Sequence, residues 1–147
     1  MTLKLRALGI LLLISCTAAI AKSPDQPYME AARADLLKAK GELQVATANK
    51  GGHRGKALGY VNSAIKEVNQ GINFARHNNH ATEGWDRIFV PTASPDQPHM
   101  QAALDYLKNA KKNLDAATPD KGGHRKNAIA LVESAIDEVK KGIDFAN

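Results

Sequence analysis

A chain of 147 residues with 20 Lys/Arg, 15 Asp/Glu and a formal charge of +5 has room for one compact domain but not for two large ones. The charge is modest and interspersed and only 5% of the residues are aromatic, which argues against a dedicated nucleic-acid binder with its basic stripe and stacking platforms. A single cysteine, Cys16, leaves no disulfide within the chain, so packing has to hold the domain together.

Residues 1–21 read as an export signal. Lys4 and Arg6 form a positive start, ALGILLLI (7–14) is an apolar run too short to span a bilayer, and Ala19 and Ala21 give an Ala-x-Ala cleavage pattern. Cleavage there starts the mature chain at Lys22 and, by removing Lys4 and Arg6, takes the charge from +5 to +3. In a rival reading LISC (13–16) is a lipobox and Cys16 becomes a lipid-anchored N-terminus. The expected location is the periplasm or the exterior, or the envelope if the anchor is used.

The mature chain is an internal repeat. Residues 23–76 align with 94–147 at a constant offset of 71, without a gap and with 30 of 54 positions identical. Each copy opens on SPDQP, where Ser or Asp can cap a helix and Pro27 or Pro98 falls in its first turn. Apolar residues then recur at alternating steps of three and four. They are Met29, Ala32, Leu36, Ala39, Leu43 and Ala46 in the first copy, with Met100, Ala103, Leu107, Ala110, Leu114 and Ala117 as twins. NKGGHR (49–54) or DKGGHR (120–125) follows, with Pro119 opposing helix continuation and Asp120 placed to cap the next helix. The next helix carries Ala57, Val61, Ala64, Val68 and Gly71, flanked by Leu58, Ile65 and Ile72. Its twin carries Ala128, Val132, Ala135, Val139 and Gly142, flanked by Ile129, Ile136 and Ile143. Gly71 and Gly142 either allow close helix approach or end their helices. HNNHATEGWDRIFVPTA (77–93) joins the copies.

One such hairpin cannot bury its own seam, so the pattern predicts an all-α four-helix bundle made of two tandem hairpins, repeat 1 over 23–76 and repeat 2 over 94–147. Short connections favour an up-down-up-down path with both GGHR turns at one end. The linker, able to reach about 56 Å when extended, also permits the opposite arrangement.

Two groups of residues are candidate sites. Lys50, His53 and Arg54, with Lys121, His124 and Arg125, surround the duplicated turns, where free N–H groups and a helix N-terminus can receive an anionic small ligand. If the turns share one end, all six can converge. The simpler reading is structural: His hydrogen-bonds an orphan carbonyl of the preceding helix, and the adjacent Arg does the same or pairs with a nearby carboxylate. His77, His80 and His99 form the second group, expected at the other end, where imidazoles can hold Zn²⁺, Cu²⁺ or Ni²⁺. Trp85, Ile88, Phe89 and Val90 make an apolar cluster suited to a protein partner or to covering the bundle's end. Ser63 and Ser134 read as small packing residues. No nucleophile–base pair, P-loop or zinc-enzyme motif occurs, so no enzyme and no cofactor is expected.

Met100, Ala103, Leu104, Leu107 and Ala110, then DKGGHR (120–125), then Ala128, Ile129 and Val132 make a specific pattern. In it the chain resembles the repeat of small exported bacterial helical-hairpin proteins; the first copy departs at Arg33 and Asn49. The resemblance covers nearly all the mature chain and implies a secreted helical hairpin domain, with no activity attached. A looser likeness, in fold class only, is to small His-bearing periplasmic metal-binding bundles.

Overall fold

The computed structural model describes residues 26–47, 51–77, 96–119 and 122–145. They form helices α1 (Gln26–Val45), α2 (His53–His77), α3 (Asp96–Ala116) and α4 (His124–Asp144). Pro27 and Pro98 lie in the first turns of α1 and α3, where a missing N–H leaves no hydrogen bond unmade. The export signal, Lys50, Lys121, Asp120, His80 and the Trp85 cluster lie outside the described residues.

The seven-residue seams form the core. Met29, Leu36 and Leu43 alternate with Ala32, Ala39 and Ala46 along α1, and none is more than 2% exposed. Their twins on α3, and the Ala/Val seams of α2 and α4, are buried in the same way. A small residue at every seventh position lets antiparallel backbones approach closely. The intimate pairs are accordingly α1 with α3 and α2 with α4, between the repeats, and the two helices within each hairpin pack less extensively. Gly71 and Gly142 are buried inside α2 and α4, so they do not end their helices. Ser63 is exposed, and Ser134 donates to the carbonyl of Ala130 at 3.0 Å; neither packs in the interior.

The path of the chain differs from up-down-up-down. His53, the first residue of α2, meets Glu138 near the end of α4, and His124, the first of α4, meets Glu67 two-thirds of the way along α2. His99 at the start of α3 meets Glu42 near the end of α1. Hence α2 opposes α4 and α1 opposes α3, while α1–α4 and α2–α3 are diagonals without contact among the described residues. The two GGHR turns stand at opposite ends of the bundle. The reason is the symmetry of the faces: two near-identical hairpins that present the same face to each other pair through a two-fold axis. Here that axis crosses the helices, so the second hairpin is inverted. In the inverted arrangement each turn histidine meets a glutamate of the other hairpin. In it, too, α2 ends at one end of the bundle and α3 begins at the other.

Candidate functional site

Each KGGHR turn is built on two consecutive left-handed residues. Gly51 and Gly52 have φ of 56° and 77°, and Gly122 and Gly123 have 58° and 82°, values that side-chain-bearing residues resist. The first glycine of each pair has a second reason to be bare. A Cβ on Gly51 would stand 3.0 Å from the Phe145 ring, and one on Gly122 would stand 3.0 Å from Phe74. The second glycine has open space around it, so only its dihedral matters. Gly123, in place of the expected Asp120, occupies the N-cap of α4 and makes no side-chain cap.

The turn delivers His and Arg to different tasks. Arg54 donates from Nη1 to the carbonyl of Ala46 at 2.8 Å, just past the end of α1. Arg125 donates from Nε to Leu114 O at 2.6 Å and from Nη2 to Asp115 O at 3.0 Å. These are the orphan carbonyls that a helix C-terminus leaves behind. The expected structural role is therefore found for Arg. The histidines reach further: His53 Nδ1 lies 2.8 Å from Glu138 Oε2, and His124 Nδ1 lies 2.8 Å from Glu67 Oε2. Against a carboxylate that nitrogen carries the proton and donates. The two contacts are one contact repeated, since 53 and 67 become 124 and 138 at the repeat offset of 71. Together they tie each hairpin's turn to the other hairpin's second helix.

Both acids are set for this role. The hydrogen bond from His124 is the main reason that Glu67 titrates below the ordinary carboxylate value, with Asn127 and Lys66 helping and partial desolvation opposing. Glu138 is lowered chiefly by His53 and then by Lys141, whose Nζ is 3.1 Å from Oε1. A carboxyl held below its unfolded pKa stabilises the fold above the unfolded value and loses that contribution as pH falls through the folded one. Acid titration of the full chain is thus expected to show stability falling below about pH 4. The fall should be shallower in Glu67→Gln/Glu138→Gln, as read from urea midpoints between neutral and acid pH.

The four turn residues that are described, two His and two Arg, do not converge. His53 and Arg54 sit at one end and His124 and Arg125 at the other, each already bonded within the protein. Of the histidine trio, His80 lies outside the described residues, and the helices carry positions 77 and 99 to opposite ends. His99 is 6% exposed and bonded to Glu42 at 2.6 Å, at the end that holds the first GGHR turn, whereas α2 runs out to His77 at the opposite end. Tyr28 and Asn113 replace His99 and Glu42 in the twin positions, so this pair occurs once. Among the described residues no three His, Cys, Asp or Glu side chains gather as a metal site, and no helix is long and apolar enough to cross a membrane.

Glu67, Glu138, Phe74 and Phe145 are the residues that sequence reasoning passed over. The signal for them is spacing: His53, Tyr60, Glu67 and Phe74 recur every seven residues, as do His124, Leu131, Glu138 and Phe145. They form one stripe beside the core seam. No family model, curated protein or solved structure matches the chain.

Proposed function

We propose that the protein is an exported, non-enzymatic helical bundle that acts as a structural or binding module, with its KGGHR turns devoted to holding the two hairpins together. The observation that supports this reading is the reciprocal pair His53–Glu138 and His124–Glu67, each 2.8 Å long, beside arginines bonded to helix-end carbonyls. Side chains so engaged offer little to a ligand, and the opposed turns leave an anion one turn at a time. Export rests on the signal grammar of residues 1–21, which N-terminal sequencing of the mature protein tests directly: Lys22, or a lipidated Cys16.

Thermal shift of the mature chain against phosphate, sulfate, small carboxylates, Zn²⁺, Cu²⁺ and Ni²⁺ tests the rest. The expected result is no saturable shift, with His53→Ala/His124→Ala melting well below the parent in every condition. A saturable shift that disappears in that variant would overturn the assignment in favour of a ligand site at the turns.

A second reading, an interaction scaffold in the envelope, draws support from Tyr60, Phe74 and Phe145, which are exposed along one line of the α2–α4 face.

A further inference from the structure

Both His–Glu contacts that tie the first residue of α2 or α4 into the fold cross from one hairpin to the other, and so do the most intimate helix pairs. The face involved is self-complementary. In antiparallel register the stripe His53–Tyr60–Glu67–Phe74 meets Glu138–Leu131–His124 and the Gly122 turn. Imidazole opposes carboxylate on both sides of the axis, and Tyr60 is level with Leu131 at its centre. Beyond the stripe's ends each phenylalanine covers the other hairpin's first turn glycine. Nothing in this pattern distinguishes a hairpin's own chain-mate from the corresponding hairpin of another molecule.

Connectivity gives the chain-mate less advantage than usual. The end of α2 and the start of α3 stand at opposite ends of a bundle of about 20-residue helices, so about 30 Å apart. Residues 78–95 join them. Closure within one molecule therefore requires the connection to run the length of the bundle, where a hairpin packed beside its neighbour would need only a short one, and a longer span lowers the effective concentration of one hairpin for the other. Between two bundles the same connection can run from one end to a neighbouring end.

We propose that the partner fitted by this interface is a second copy of the chain, which docks by exchanging hairpins. Hairpin 1 of each copy pairs with hairpin 2 of the other, and every His–Glu latch is then made from two molecules.

Two variants test it. Deleting residues 81–92 leaves six connecting residues, with a reach of about 25 Å, too short to close one bundle. The expected product is a dimer, twice the monomer mass by light scattering, with the parent's helical circular dichroism and one cooperative melt. A folded monomer, or an unfolded chain at all concentrations, would overturn the proposal.

The second test keeps the connection intact. A His53→Glu/His124→Glu chain places acid against acid at both latches, and a Glu67→Lys/Glu138→Lys chain places base against base. Refolded together they can restore unlike pairs only by exchange. The proposal expects a mixed species of twice the mass that melts above either chain alone. Two components that stay separate, each melting at its own temperature, contradict it.

Discussion

Gly122→Ala is expected to destabilise the protein by about 2–4 kcal/mol, and Gly123→Ala by only about 1–2 kcal/mol. Both residues hold left-handed backbone, at φ of 58° and 82°, and an added methyl is strained there in either case. Only at Gly122 does the new Cβ also meet a neighbour, the Phe74 ring at 3.0 Å, which has to swing away from the turn it covers. The same ordering holds for Gly51 over Gly52, with Phe145 as the displaced ring. Urea denaturation of the four single variants measures the difference. In a Phe74→Ala background the excess cost at Gly122 should vanish and leave the two alanine variants alike. Equal costs in the parent background would mean that the ring contact carries no energy.

Leu36→Ala and Leu107→Ala should each cost about 2–5 kcal/mol, the range for emptying a fully buried leucine site. Both side chains have 0% exposure. His99–Glu42 and Asn113–Asp35, the latter 2.9 Å long, set Leu36 of α1 against the stretch 105–112 of α3, which holds Leu107. Two cavities opened side by side merge, so the double variant should depart from the sum of the singles. Leu36→Ala combined with Leu114→Ala, set further along the bundle, should come closer to additivity. Chemical denaturation of the parent, the three single variants and the two double variants maps the centre of the core independently of the turns.

The helices were legible because their seams are strict. A seven-residue alternation of Met or Leu with Ala, and of Val with Ala, admits one packing mode, and the repeat shows that each hairpin has a twin to bury it against. Direction was harder. Whether two hairpins lie parallel or inverted depends on which outward-flanking residues meet, and the stripe of His53, Tyr60, Glu67 and Phe74 lies just beside the seam, where apolar counting does not look. Read as a unit, that stripe contains the answer. A histidine and a glutamate fourteen residues apart on one helix cannot touch, at about 21 Å, but each finds its complement on an inverted copy. The arginine role is legible in kind, since a cation one turn beyond a helix end commonly serves its carbonyls. The histidine role is not, because a single hairpin does not contain their partner in reach. The N-cap of α4 falls on Gly123, the second of the two left-handed residues, three positions past the expected Asp120. The GG pair is therefore both a bend and a seat for the opposite hairpin's phenylalanine.

A double-mutant cycle at His53 and Glu138, set beside one at His53 and Glu67, tests the account most directly. The latch pairs His53 with Glu138 across the hairpins, 85 residues away in sequence, and leaves Glu67 of its own helix to His124. The predicted result is favourable coupling in the first cycle, the double alanine variant losing less than the sum of its singles, and no coupling in the second. Coupling absent from His53–Glu138, or present between His53 and Glu67 alone, would contradict the inverted pairing and with it the role assigned to both KGGHR turns.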